Sequence, residues 1–290
     1  MNQLKLGIPK GSLESATVDL FDQAGWSIRQ RSRNYFPSID DDEITCSLVR
    51  SQEMGPYVAG GTMDVGLCGL DWIKETLADV EVVCDLVYSK SSDQPARWVL
   101  VVNRDSPIQK VEELEGKVVS TELVGFTKRY LEELGINATV EFSWGATEAK
   151  VVEGLADAAV EITETGTTIK AHGLRIVCDI LQTHTVLVAN RDALADPWKK
   201  AKIDQIALML ESALAARHRV LLKMNAPMEI LDEVTKLLPS LHAPTINNLT
   251  DSNWVAIETV GERREVRDLI PKLRTAGAEG ILELGLKNLS

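Results

Sequence analysis

An apolar run, Ala158 to Ile162, carries acids at Asp157 and Glu161 and then breaks into Thr165-Gly166-Thr167-Thr168 ahead of a short helix-compatible segment. Strand, polar turn and helix start in that order bring hydroxyls, a glycine and the partnerless N–H groups of a helix N-terminus to one place, a set suited to a phosphate. The two acids suit sugar hydroxyls or a hydrated Mg²⁺. The same residues also make an ordinary capped turn whose threonines satisfy only the backbone. A second turn of this kind, Pro9-Lys10-Gly11-Ser12, follows the apolar stretch Leu4 to Ile8. It reads either as another anion or nucleotide contact or as a solvated lysine beside a Ser N-cap. The glycine-lysine-hydroxyl order of a P-loop is missing from it. In a third passage, Asp64-Val65-Gly66-Leu67-Cys68-Gly69-Leu70-Asp71, the glycines admit a ligand to the backbone or let strand and helix pack closely.

Strands and helices in alternation have to position these turns. After Leu4 to Ile8, a helix shows apolar residues at Leu13, Ala16, Leu20, Phe21 and Ala24, and Gly25 ends it. Ile44 to Val49 reads as a strand, Met54 to Ala59 as a helix and Val80 to Tyr88 as a strand; the polar stretch Ser89 to Pro95 is the expected first crossing between domains. A new series begins with strands at Arg97 to Asn103 and Lys117 to Thr121, a helix at Gly125 to Leu134 and a strand at Ala138 to Phe142. Leu174 to Ile180 and Thr183 to Asn190 are expected to return the chain to the first unit, so that the crossing is double. Two α/β units offering strand C-termini to a shared cleft form a natural ligand site.

In the last third, Ile203, Ile206, Ala207, Leu210 and Leu214 form a helical stripe. A strand at Val220 to Met224 follows, then a helix opened by Pro227, strands at Ala243 to Leu249 and Trp254 to Val260, a helix through Val266, Leu269, Ile270 and Leu273, and a strand from Gly280 to Leu286. Pro271 argues against a regular helix there. The order βαββαβ is that of a ferredoxin-like unit.

A net charge of −12 on 290 residues argues against nucleic-acid or membrane-surface binding, so an anionic ligand has to be held by local cations and backbone dipoles. The N-terminus runs directly into a strand pattern, without the regions of a signal peptide, and no apolar run is long enough to span a bilayer. Cys46, Cys68, Cys84 and Cys178 lie singly in apolar runs, as free thiols of a reducing cytoplasm do. His172, His184, His218 and His242 show no ligand spacing and read as structural or surface residues.

The chain resembles the ATP phosphoribosyltransferase family, in its long form with a C-terminal regulatory domain. The most specific match is Gly-Leu-Ala-Asp-Ala through Glu161-Ile162-Thr163-Glu164-Thr165-Gly166-Thr167-Thr168, which is similar to the family's phosphoribosyl pyrophosphate loop. Pro9-Lys10-Gly11, Asp64-Val65-Gly66 through Gly69-Leu70-Asp71, Lys128-Arg129-Tyr130-Leu131 and Pro244-Thr245-Ile246 support it. Three departures stand out: Ser12 where an arginine is common, Glu161 where an aspartate is usual, and Ser120-Thr121-Glu122 in place of an aromatic-proline segment.

The resemblance implies a two-lobed, periplasmic-binding-protein-like α/β core with a ferredoxin-like domain appended: lobe I at 1–92 and 178–205, lobe II at 93–177, the third domain at 206–290. It implies transfer of phosphoribosyl from phosphoribosyl pyrophosphate to N1 of ATP, the first step of histidine biosynthesis, with Mg²⁺ arriving on substrate phosphates rather than in a protein ligand set. Asp157, Glu161 and Lys10 are then the expected catalytic residues. Glu161, Thr165, Gly166, Thr167 and Thr168 would hold phosphoribosyl pyrophosphate, and Lys10, Gly11, Ser12, Gly69 and Asp71 would hold ATP. Lys128 and Arg129 would add positive potential or form a solvated face. Histidine would inhibit a cytoplasmic dimer or hexamer through Asn225, Thr245 and Gly280. A two-lobed binding protein without chemistry shares the cleft and is the competing expectation.

Overall fold

The computed structural model describes residues 2–30, 34–88, 94–239 and 243–290. His242 and most of the Ser89 to Pro95 crossing lie outside these residues. The chain divides into two compact units, one of Met1–Asp22 with Trp26–Ala207 and one of Gln23–Gly25 with Leu208–Ser290.

The first unit runs β1 (Leu4–Lys10), α1 (Glu14–Ala24), β2 (Ile28–Arg29), β3 (Ser38–Ile39), β4 (Ile44–Arg50), α2 (Ser51–Ala59), β5 (Val65–Gly69), α3 (Leu70–Thr76) and β6 (Glu81–Leu86). It continues with β7 (Ala96–Asn103), a 3₁₀ turn at Val111–Leu114, β8 (Val118–Thr121), α4 (Val124–Glu133), β9 (Thr139–Phe142), α5 (Thr147–Val152), β10 (Ala158–Thr163), α6 (Thr167–Ala171), β11 (Leu174–Thr183), β12 (Thr185–Ala189) and α7 (Arg191–Ala195), and passes into α8 (Pro197–Arg217).

Two five-stranded sheets result, in the orders β4-β1-β5-β12-β6 and β11-β7-β10-β8-β9. In the first, β1 pairs in parallel with β4 and β5; in the second, β8 pairs in parallel with β9 and β10. Central strands of such sheets are covered on both faces and so read as continuous apolar runs. β12 is buried at every position, and Val99 to Val102 of β7 are fully buried. The chain crosses between the sheets twice, as expected, but the return comes later than position 178. All of β11 stays antiparallel to β7 in the second sheet, and a single residue, His184, separates it from β12 in the first.

The second unit contains β13 (Arg219–Pro227), α9 (Leu231–Leu237), β14 (Thr245–Asn248), β15 (Trp254–Glu262), α10 (Arg263–Ala276) and β16 (Glu279–Gly285). Its sheet order, β14-β15-β13-β16, makes βαββαβ a ferredoxin-like unit. Val220, Leu222, Met224 and Ala226 alternate into a core with Val255, Ile257, Val266 and Leu273. Pro227 does not open a helix: it ends β13, paired with Trp254, and a 3₁₀ turn at Met228–Ile230 precedes α9. α10 continues through Pro271, whose missing N–H leaves the ladder one bond short without ending it. Among the described residues no helix is long and apolar enough to cross a membrane.

Candidate active site

Parallel strands deliver their C-terminal ends to one side of a sheet, and both sheets of the first unit deliver theirs to a shared cleft of ≈ 800 Å³. Lys10, Arg50 and Gly69 terminate β1, β4 and β5 on one wall; Glu122 follows β8 and Thr163 ends β10 on the other. Of the expected residues, Lys10, Gly11, Ser12, Gly69, Asp71, Glu161, Thr165 and Thr168 line it.

The threonine turn is organised by its own hydroxyls. Thr163 Oγ1 accepts the Gly166 N–H at 2.8 Å, the Thr165 and Thr167 hydroxyls bond at 2.9 Å, and Thr165 Oγ1 accepts the Thr167 N–H at 3.3 Å. Gly166 sits at φ 75°, a left-handed conformation suited to glycine, and swings the chain from β10 into α6. Gly166 and Thr167 shape the turn from outside the cleft lining, while Thr165 and Thr168 reach into it.

Glu161 projects from β10 into the cleft, half-buried. Burial first, and then the Glu148 and Glu122 carboxylates, push its carboxyl up to about 7, against a hydrogen bond from Thr147. Burial, followed by the charge of Asp71, also raises Glu122. Asp157 is separated from this group. Strand β10 is 6 residues long and lies between Asp157 and the turn, which puts them roughly 20 Å apart. Its carboxylate accepts the Val118 N–H at 2.9 Å and pairs with Lys117 at 3.5 Å, which ties β10 to β8, and it is not among the residues that line the cleft.

On the facing wall, Asp71 is committed to the crossing between the sheets. Its Oδ2 accepts the Trp98 indole N–H at 2.7 Å, its Oδ1 the Trp72 N–H at 3.0 Å, and its own N–H donates to Thr183 Oγ1 at 3.1 Å. Burial raises its pKa while these bonds lower it. A Cβ at Gly69 would run into that carboxylate, which accounts for the glycine by packing. Lys10 lies over the Tyr35 ring, 4.0 Å from its centre.

Arg50, absent from the sequence-based set, stands opposite Lys10 in the β1–β4 register and lines the cleft. Glu148 and Glu122, which the sequence did not single out, also line it, as do His172 and His184, read from the sequence as structural or surface residues. His172 reaches the cleft with Nδ1 3.4 Å from Glu148, and His184 with Nε2 2.8 Å from Asp85. Arg129 faces away, donating to the Lys74 carbonyl of α3. No cluster of three metal-ligating side chains occurs among the described residues. The acids of the cleft crowd closely enough to disfavour one another's charge.

A profile described as HisG, ATP phosphoribosyltransferase, matches residues 50–212, and one described as HisG, C-terminal domain, matches residues 216–288. The ATP phosphoribosyltransferase of Geotalea uraniireducens is 60% identical over 288 residues, covering 99% of this chain and 99% of that protein. ATP phosphoribosyltransferase 1 of Geobacter sulfurreducens is 59% identical over 286 residues, 99% of this chain and 98% of its own length. Among solved structures, the ATP phosphoribosyl transferase (HisG:HisZ) complex from Thermotoga maritima matches with a TM-score of 0.62 at 26% identity, over 72% of this chain and 99% of that one. Matched by both profiles and by full-length relatives along the whole chain, this protein belongs to the ATP phosphoribosyltransferase family, in the form that carries a C-terminal domain.

Proposed function

We propose that the cleft carries out the reaction of its family, in which N1 of ATP displaces pyrophosphate from phosphoribosyl pyrophosphate, the first step of histidine biosynthesis. The observation that carries this is the pair of facing walls: a hydroxyl-rich turn at Thr163 to Thr168 on one side, and Lys10 beside Arg50 on the other. The N1 lone pair forms the new bond to the ribosyl carbon as the bond from that carbon to the pyrophosphate oxygen breaks. The nucleophile needs no proton removed, so the protein's contribution is alignment and charge.

Thr165 and Thr168 hold the 5-phosphate through hydroxyls, with the first N–H groups of α6 behind them. Glu161 meets the ribose hydroxyls or the hydrated cation. Lys10 and Arg50 draw the nucleotide phosphates to the opposite wall, with Gly11 and Ser12 beside them. Mg²⁺ on the pyrophosphate, when present, neutralises the leaving group, with Glu161, Glu122 and Glu148 as the acids available to its water shell.

Histidine inhibition through the second unit belongs to the same reading. Asn225, Thr245 and Asn247 fall on the sheet face opposite the core, and a Cβ at Gly280 would lie 3.9 Å from the Asn225 amide. Leu282 and Leu284 are exposed on β16, which suits a dimer or hexamer of this chain. The ATP substrate argues for the cytoplasm, and the free cysteines are compatible with it.

Mixing the protein with ATP, phosphoribosyl pyrophosphate and Mg²⁺ should release pyrophosphate only when all three are present. Binding of either substrate with no pyrophosphate released would favour a two-lobed binding protein instead.

A further inference from the structure

A second hollow of ≈ 750 Å³ lies beside the cleft and shares with it the walls formed by Arg50, Gln52, Trp72 and Glu122. Its distinctive residues are Phe142 and Trp144. Their rings meet edge to face, with centres 4.7 Å apart and planes at 84°, and the Trp144 residue is 92% exposed. With Phe142, 48% exposed beside it, Trp144 makes a contiguous apolar surface on the lining of this hollow. The turn that holds it is constrained: Ser143 N–H bonds to the Thr121 carbonyl at 3.0 Å, Gly145 sits at φ 108°, and Ala146 at φ 49°, a left-handed conformation that a residue with a Cβ disfavours.

We propose that this hollow seats the adenine ring of the nucleotide substrate, stacked on Trp144, an inference that rests on the reaction proposed above. The other aromatic rings of the cleft are committed. Trp98 is buried with its N–H on Asp71, Trp72 packs edge-on against it at 6.4 Å, and Tyr88 is buried with its hydroxyl 2.6 Å from Thr17. Trp144, braced by Phe142, offers a flat apolar surface to a purine. Glu75 lines the same hollow but accepts the Gly125 and Phe126 N–H groups. Glu122, common to both hollows, is the acceptor for the exocyclic amino group of adenine, and guanine would turn a carbonyl oxygen toward it. A base seated there keeps its N1 edge, next to that amino group, toward the shared wall, and Arg50 stands on that wall for the phosphates.

The test measures KM for each substrate by pyrophosphate release, in the full-length protein and in Trp144→Ala and Trp144→Phe. Loss of one base–aromatic stack should raise KM for ATP about tenfold in Trp144→Ala, leave KM for phosphoribosyl pyrophosphate within about twofold, and be largely restored in Trp144→Phe. An unchanged KM for ATP in Trp144→Ala, with pyrophosphate still released, overturns the adenine seat and leaves the reaction standing. Failure of the wild type to release pyrophosphate overturns the reaction. Titration of tryptophan fluorescence with ATP then decides the seat by itself: quenching that disappears in Trp144→Ala upholds it, and undiminished quenching overturns it.

Discussion

Glu161 is a carboxyl whose surroundings favour its neutral form, and that has a consequence for stability. Its pKa rises from 4.5 to about 7 on folding, through burial and then the nearby Glu148 and Glu122, with Thr147 opposing. Below pH 4.5 both folded and unfolded chains carry the proton. Between 4.5 and about 7 the unfolded chain has released it and the folded one retains it, so this stabilising contribution is lost as pH rises through the folded pKa. Glu161→Gln keeps a neutral side chain at every pH. Its stability relative to wild type should therefore rise between pH 5 and 8, by on the order of 2 kcal/mol, while its activity falls; denaturant unfolding at several pH values reads the first and pyrophosphate release the second. A pH-independent difference would mean that Glu161 ionises normally. Thr168 is exposed and lines the cleft, so Thr168→Ala should raise KM for phosphoribosyl pyrophosphate about tenfold, as loss of a hydrogen bond to a charged group does, with stability changed by less than about 0.5 kcal/mol. Gly166→Ala makes a poorer probe, because φ 75° and an Ile176 contact at 3.1 Å from the added Cβ would disturb folding as well. At this scale the convergence of the threonine turn, Lys10 and Glu161 on one cleft was legible because each sits within one strand-turn-helix passage. Arg50 was overlooked although it ends a strand that reads plainly in the sequence. The signal was there, since a parallel neighbour of β1 places its last residue beside Lys10. Asp157, four residues before Glu161 in sequence, is carried away from it by the extended strand and lies outside the cleft lining, which a count of residues does not reveal.

Elements fix which of these groups can meet. The apolar strands were readable because central strands must be apolar on both faces, and the glycine-terminated helices because their stripes repeat at helical spacing. The short α5 was missed: 6 residues give too few turns for a stripe, yet it carries both Thr147 and Glu148 to Glu161. The return crossing was placed early because a ten-residue β11 with register shifts at Cys178 and Leu181 interrupts the alternation that marks a single strand. Nothing in the sequence shows that α3 and α4 are joined by Glu75, whose carboxylate takes the Gly125 and Phe126 N–H groups at 2.8 and 2.6 Å. Those are among the first donors of α4 and have no partner within the helix. Asparagine or aspartate would ordinarily cap from the preceding residue; here Leu123 occupies that place and supplies no side-chain acceptor. Glu75→Ala should therefore cost about 1–2 kcal/mol in thermal unfolding, and Glu75→Gln, which keeps one acceptor oxygen, should recover part of it. An unaltered melting curve in Glu75→Ala would show that water caps α4 equally well.

On the scale of the whole molecule, the two units differ in surface type. The first has a deep cleft lined by titratable groups, whereas the second is built from a sheet with its helices and core on one side and an open, mixed face of Lys223, Asn225, Thr245 and Glu258 on the other. A face of that kind has donors, acceptors and an ion pair at 2.8 Å between Lys223 and Glu258. The proposed inhibition by histidine would use this face, and an effector site apart from the reacting atoms acts only by binding two states of the protein unequally. Residues on that face should then change inhibition without changing catalysis. Asn225→Ala and Thr245→Ala, both at exposed positions of paired strands, should fold normally and release pyrophosphate with unchanged kcat and KM in the absence of histidine. In its presence, the concentration needed for half inhibition should rise at least about tenfold, corresponding to a lost contact of about 1.4 kcal/mol. Leu208, exposed on α8 well before β13, is a control: Leu208→Ala should leave the histidine response where it was. If the two sheet variants respond to histidine as the wild type does, the effector is held by other groups and the open face serves only contacts between copies of the chain.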